Sequence, residues 1–369
     1  MVKILFRILS EKKMSVPFEP FVINRMKIKN RFVRSATMDN MGSNGMVTEA
    51  QLEVYRDLSL GEIGLIISSG IFPSKNGQAG IGQLGAHTDE TIPSLKKITD
   101  VVHKNNGKIA AQLLHGGWQC NPEFIGQQPI GPSSLIHPSS GILIKGLSKD
   151  EVYEEIENFV QAGRRLVEAG FDSIQFHGAH SWLISAFLSP ATNKRDDEFG
   201  GSAEKRANFV VQIYKGIRRI AGPHYPIFIK LGLKDYHSQG KSLNEGLKTA
   251  AILEKIGMDA IEISEGLEEE RSHHIRLDAL SPYYLDECRQ ARLILKRPII
   301  LVGGMRQLKD IEQVLKEDIA DAVSMCRPFV MDRYIVKKFH DGVATISACT
   351  SCNGCIGLNR TTLRCVLTR

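Results

Sequence analysis

Two histidines three residues apart, His177 and His180 in the segment HGAHSW, are the first side chains with chemistry to offer at a usable spacing. Imidazoles can hold a substrate oxygen, bind a metal or sit satisfied in a turn. The bare HxxH pattern leaves all three readings open, although no acidic third ligand stands nearby. Lys230 lies in the run IFIKLG, where a cation on an apolar strand needs an anionic partner. A phosphorylated cofactor would supply one, and so would a carboxylate inside the protein. Gly303 and Gly304 in VGGM, with Cys326 and Arg327 in MCRPFV, combine permissive glycines, a helix start and a guanidinium, a set suited to a phosphate. Four of the seven cysteines crowd the end of the chain, Cys349, Cys352 and Cys355 at two-residue gaps and Cys365 later. Three ligands on one turn with a remote fourth suit an iron–sulfur cubane (4Fe-4S). Structural zinc usually draws two separated CxxC pairs, and free thiols are the remaining reading.

These residues need a frame that gathers them. Eight short β-branched runs recur along the chain: Arg31–Ser35, Leu65–Ser69, Lys108–Leu113, Ser173–Phe176, Ile227–Lys230, Ala260–Ser264, Ile299–Val302 and Ala322–Ser324. Each is followed by a turn and then by a longer stretch with helical spacing of apolar residues. VEAGFDSIQFH and EKIGMDAIEIS show how the strands are entered, a helix ending in Gly and then an Asp. Strands apolar on both faces and separated by helices predict a parallel sheet. Eight such units predict an α/β fold of the closed (β/α)8 TIM barrel type rather than a doubly wound sheet. Chemistry in that fold belongs at the C-terminal ends of the strands, where His177, Lys230 and the VGGM and MCRPFV segments fall. The stretch Trp118–Ser148, rich in Gly, Pro and Ser, reads as an extended loop over the mouth. The expected organisation is an N-terminal extension (1–17), a barrel (18–345) and a short Cys-rich tail (346–369).

With 369 residues the chain is long enough for one large barrel with a full core. No stretch approaches the roughly 18 consecutive apolar residues that a membrane span requires, so no membrane partner is expected. The opening MVKILFRILSEKK lacks both a long apolar run and a small-residue cleavage site, so a secretory signal is not expected. Together with the cysteine spacing this places the protein in a reducing cytoplasm. The formal charge of +6 is scattered rather than massed in an aromatic-studded stripe, which argues against nucleic acid. No G-x-G-x-x-G follows an early strand, so no separate dinucleotide fold is expected.

The segments KNRFVRSAT, AAQLLHGGWQ, HGAHSWLISAFLSPATNKRDDEFGGSAEKRANF, VGGM and CTSCNGC together resemble the old yellow enzyme family of flavin oxidoreductases, from about Phe18 to the C-terminus. The nearest likeness is to the iron–sulfur branch related to 2,4-dienoyl-CoA reductase and trimethylamine dehydrogenase, barrel domain only. The resemblance implies an FMN cofactor reduced by NAD(P)H, an electron-poor small-molecule acceptor such as an α,β-unsaturated carbonyl compound, and ping-pong use of one pocket. It assigns Ser35, Ala36, Thr37, Met38 and Ser69 to positions beside the flavin, with Gly70 an alternative to Ser69. Gln112 and Lys230 fall at its pyrimidine edge, and Gly303, Gly304, Cys326 and Arg327 at its phosphate. His177 and His180 fall on the substrate oxygen, and Cys349, Cys352, Cys355 and Cys365 on a 4Fe-4S cluster. An external electron-transfer partner and a homo-oligomer are compatible with it. One departure matters. The family places a proton-donating tyrosine where this chain has Trp182, and an indole N–H does not release a proton at physiological pH. Met38 likewise stands where relatives often carry Cys or Thr. Tyr236 is a substitute donor or a structural tyrosine at the rim. The alternative functions are a flavin-binding electron-transfer protein with little ene-reductase activity and a cofactor-free or metal-dependent barrel lyase.

Overall fold

The structure, a computed structural model, describes residues 16–267, 282–355 and 363–368. The expected N-terminal extension lies outside these as far as residue 15. The eight expected strands form the barrel: β1 (Phe32–Arg34), β2 (Leu65–Phe72), β3 (Ile109–Leu113), β4 (Ser173–Gly178), β5 (Ile227–Gly232), β6 (Ile261–Ser264), β7 (Ile299–Val302) and β8 (Ala322–Met325). Each runs parallel to its sequence neighbours. The pairing of β8 with β1, Val323 opposite Phe32 and Met325 opposite Arg34, closes the sheet. A helix follows every strand: α1 (Glu49–Leu60), α2 (Ile92–Lys104), α3 (Lys149–Glu168), α4 (Ala203–Ala221), α5 (Leu243–Lys255), α6 (Leu285–Arg292), α7 (Leu308–Lys316) and α8 (Ile335–His340).

Local sequence explains where these elements start and stop. Thr48 with Gln51, Ser148 with Glu151 and Ser242 with Glu245 form reciprocal caps that satisfy the free N–H groups opening α1, α3 and α5. Gly170 and Gly257 turn the chain after α3 and α5 with φ of 84° and 103°, a region closed to most side chains. The aspartates that follow have a defined task at the base of the barrel. Asp172, Asp259 and Asp321 each stand just before an even-numbered strand, and each accepts the first N–H of the strand before it. The donors are Ile109 at 2.9 Å, Ile227 at 2.9 Å and Ile299 at 2.8 Å.

The core has two compartments. Val33, Leu65, Ile67, Ala110, Phe228, Ala260, Ile300 and Ala322 fill the lumen, packed with Phe21, Ile23, Met26 and Ile28 of an antiparallel N-terminal hairpin. A larger apolar shell lies between strands and helices. The segment expected as an open loop over the mouth instead holds a three-stranded sheet (Ile130–Gly131, Leu135–Ile136, Leu143–Gly146). Its order comes from an apolar cluster in which Ile144 packs with Trp118, Ala186 and Leu267, a burial that Gly, Pro and Ser counts do not reveal. No described helix is long and apolar enough to cross a membrane.

Candidate active site at the barrel mouth

Alternation along the strands builds the floor of the site. Val33, Ala110, Phe228, Ala260 and Ala322 belong to the lumen cluster, and two residues further along the same strands stand Ser35, Gln112, Lys230, Glu262 and Ser324. All five of these polar groups are buried. They meet on Glu262, whose Oε1 accepts from Ser35 Oγ at 2.7 Å and Ser324 Oγ at 2.6 Å, while its Oε2 accepts from Gln175 Nε2 at 2.7 Å. Gln175 in turn accepts from Gln112 Nε2 at 2.7 Å. Lys230 Nζ donates to Ser35 Oγ at 2.8 Å and lies 3.5 Å from Glu262 Oε1. The lysine therefore has a protein carboxylate beside it, the internal ion pair the sequence left open. A buried cation held by one carboxylate and one hydroxyl keeps donor capacity for a further partner.

Ser35 leads directly into Ala36, Thr37 and Met38 at the end of β1. Ala36 packs on the lumen cluster, Met38 is half-buried, and Thr37 Oγ1 lies 3.1 Å from Cys326 Sγ, tying this segment to the end of β8. Ser69 sits where β2 bulges between Ile67 and Gly70, its N–H donating to Tyr55 Oη at 2.9 Å.

His177 stands in register opposite Lys230 and is buried. Burial first, and the Lys230 ammonium second, hold its imidazole well below the usual histidine range. It is therefore neutral at physiological pH. Its Nδ1 accepts from the Ala179 N–H at 3.4 Å, which leaves the proton on Nε2 as a donor. His180 carries φ of 56° and Ser181 φ of 64°, consecutive left-handed residues of a kind that clusters at functional sites. This turn brings the two rings to 5.1 Å, centroid to centroid, and pairs His180 Nε2 with Ser264 Oγ at 2.7 Å. Trp182 caps the short helix Leu183–Leu188, its ring 6.2 Å from His177. Tyr236 lies at the rim under the Lys234 ammonium, which is 5.3 Å from its ring. Among the described residues, no three Cys, His, Asp or Glu side chains converge to hold a metal ion.

Gly303 and Gly304 leave β7 with φ of 90° and 75°. A side chain at Gly303 would collide with the Tyr283 ring, 2.5 Å from an added Cβ. Arg327 follows β8, donating to Tyr283 Oη at 2.6 Å, Asn353 Oδ1 at 2.7 Å and the Ser351 carbonyl at 3.2 Å. The tail thus packs against the β7 and β8 ends. Cys349 and Cys365 are buried, Cys355 is half-buried and Cys352 is exposed, and none of the four is in a disulfide. Burial, with Cys326 and Cys349 facing it, pushes the Cys355 thiol up to about 11.

Six further residues take part in these contacts: Glu262, Gln175, Ser324, Ser264, Tyr283 and Asn353. The first three were signalled by position, as polar residues inside apolar strands whose alternation points them at the lumen. Tyr283 and Asn353 carry no such signal, because loop packing alone brings them to Arg327.

His177, Lys230, Gly303, Gly304 and Arg327 thus stand at or just beyond the C-terminal ends of their strands, at one end of a closed eight-stranded parallel barrel. A model of the NADH:flavin oxidoreductase / NADH oxidase family matches residues 17–345, and the chain belongs to that family, the old yellow enzymes. It is 32% identical over 345 residues to an NADH oxidase of Thermoanaerobacter brockii, covering 91% of this chain and 52% of that one. It is also 32% identical over 328 residues to an NADPH dehydrogenase of Clostridium acetobutylicum, covering 86% and 93%. The chain spans about half the length of the first of these relatives. Among solved structures, 2-naphthoyl-CoA reductase in complex with 2-naphthoyl-CoA superposes with a TM-score of 0.88 at 28% identity, over 92% of this chain and 54% of that one. Morphinone reductase shares the fold, with a TM-score of 0.76 at 24% identity over 91% and 93%.

Proposed function

We propose that this NAD(P)H flavin oxidoreductase holds FMN at the barrel mouth and delivers hydride to an electron-poor acceptor such as an α,β-unsaturated carbonyl compound. The observation that carries the reading is the neutral His177, with its donor nitrogen free of Ala179, in register with Lys230. The donor set suits FMN. Gln112 offers an amide and Lys230 an ammonium for a pyrimidine edge, Arg327 a guanidinium for the phosphate, and the positive-φ glycines room for close approach. When bound, FMN would supply hydride transfer in two halves, from nicotinamide and then to the acceptor.

The chain's own residues do the rest. Lys230 stabilises negative charge at the pyrimidine edge, and Glu262 with Ser35 sets where its ammonium points. His177 donates from Nε2 to the acceptor's carbonyl oxygen. His180, its Nε2 paired with Ser264 Oγ, is the second imidazole on that oxygen. Together they draw electron density from the conjugated bond. One pocket serving two substrates gives ping-pong kinetics, so parallel double-reciprocal lines are expected and intersecting ones count against a shared pocket.

Trp182 supports a second reading, a flavin-binding electron-transfer protein with little ene-reductase activity. We further propose a barrel over 18–345, a Cys-rich tail over 346–369 and a cytoplasmic location. The four tail cysteines as placed do not converge as a ligand set among the described residues, so their spacing is the support for a 4Fe-4S cluster, and no step above uses it.

Anaerobic absorbance titration with NADH and NADPH, followed by cyclohexenone, tests the proposal. Bleaching of a flavin band and its return on adding the enone support it. Bleaching without reoxidation favours the second reading, and a colourless protein that takes up no added FMN overturns both.

A further inference from the structure

We infer that the cysteine-bearing tail is part of the cofactor phosphate site, with Asn353 acting as the positioning residue for Arg327. The inference rests on the FMN reading above. A guanidinium has five N–H donors in a fixed fork. Three from Arg327 are committed to the protein, one to Tyr283 Oη and two from Nη1 to Asn353 Oδ1 and the Ser351 carbonyl. That leaves two for an oxyanion and fixes the plane in which they lie, since an arginine gripped on one edge cannot swing about its stem. Two of the three acceptors come from the tail, so the phosphate grip is complete only when residues 351–353 are docked.

The docking is built in. Arg306, just after the paired glycines, donates to the Cys349 carbonyl at 2.7 Å and accepts from the Ser347 N–H at 2.9 Å. The Cys349 N–H reaches Ser347 Oγ at 3.3 Å. Ser351 and Asn353 both hold left-handed backbone, with φ of 60° and 59°. Asn is among the side chains that tolerate that conformation best, so one residue serves both the turn and the arginine. By linkage, whatever orders this loop tightens cofactor binding, and cofactor binding orders the loop.

The test measures FMN and riboflavin affinity by flavin fluorescence, using protein stripped of its cofactor. Asn353→Gly keeps the left-handed turn while removing the acceptor, and Asn353→Asp restores an acceptor. Asn353→Gly is expected to weaken FMN about tenfold, the loss of one charge-assisted hydrogen bond. Asn353→Asp should stay near wild type. Riboflavin, which lacks the phosphate, should bind all of these alike, and on an Arg327→Ala background Asn353→Gly should add no further loss. Unchanged FMN affinity in Asn353→Gly overturns the inference, as does an equal loss for riboflavin or on the Arg327→Ala background. If the wild-type protein itself takes up no FMN, the cofactor reading falls and this one with it.

Discussion

Lys230 and Glu262 face each other across β5 and β6, paired in strand register, with Nζ 3.5 Å from Oε1 and Ser35 bridging them. Neither charge is tolerable alone at this depth, so each is the condition for the other. Glu262→Ala is expected to destabilise the fold by about 3–5 kcal/mol, the cost of leaving a buried cation unpaired. Denaturant unfolding with and without FMN measures it. Glu262→Gln keeps the shape but removes the negative charge, so it should raise the bound flavin's midpoint potential by roughly 30 mV, about 1.4 kcal/mol for a two-electron couple. An unchanged potential would mean that the carboxylate does not reach the flavin.

Replacing His177 with Ala is expected to slow reoxidation by cyclohexenone by about 10²–10³-fold, the usual cost of losing one donor to a developing oxyanion. Stopped-flow absorbance separates this half-reaction from reduction by NADPH. Equal slowing of both halves would assign the residue to the flavin rather than to the acceptor.

The same histidine makes stability depend on pH. Its folded pKa lies below the unfolded value, and burial does the same to His115, against a smaller opposing pull from Glu155. Below about pH 6.5 the unfolded chain takes up protons that the folded chain refuses. Stability therefore falls as pH drops through that value and levels off only below the folded pKa values. Urea midpoints at pH 7.5 and 5.5 should show the loss in wild type and a smaller loss in His177→Gln.

Trp182→Tyr introduces a hydroxyl that can be transferred as a proton where the indole N–H cannot. Faster turnover of cyclohexenone in this variant, with unchanged reduction by NADPH, is the expected result. No gain would place proton delivery elsewhere, and Tyr236→Phe then becomes the variant to compare.

Asp259→Ala removes the acceptor for both the Ile227 N–H and Arg218, which lie 2.9 and 2.6 Å from its Oδ2. A loss of about 1–3 kcal/mol is expected from the stranded donors, read as a lowered melting midpoint.

The barrel was legible because its signals are local and repeated. All eight strands began within a residue of where β-branched runs placed them, and the Gly–Asp entries marked the turns at Gly170 and Gly257. Strand ends were less legible: β2 runs on to Phe72 and β4 to Gly178, because tertiary pairing extends strands past their apolar runs. For the site, His177, Lys230 and Arg327 stood out as charged or titratable residues at strand ends. Their partners are a different matter. Glu262 lies 32 residues from Lys230 and Asn353 lies 26 from Arg327, and which of many acidic or amide residues closes such a contact is decided by register and loop packing.

The three aspartates at the barrel base also bear on how the chain assembles. Each fastens an adjacent pair of strands, β3 to β4, β5 to β6 and β7 to β8, across separations of 63, 32 and 22 residues. Loop closure costs more as the span grows, so the β7–β8 pair is the cheapest to form and the two wider pairs follow. At the start of β1 the Phe32 N–H is taken by Asn30 within the same turn, so the β1–β2 pair lacks such an aspartate, and the joint between β8 and β1 joins opposite ends of the domain. Of the strand pairings, the β8–β1 joint along Phe32–Arg34 spans the most chain and so carries the largest loop-closure cost. The segment leading out of that seam, Ser35 to Met38, is tied to the end of β8 by the Ser35 N–H on the Met325 carbonyl and by Thr37 beside Cys326, so its position depends on the circle being closed.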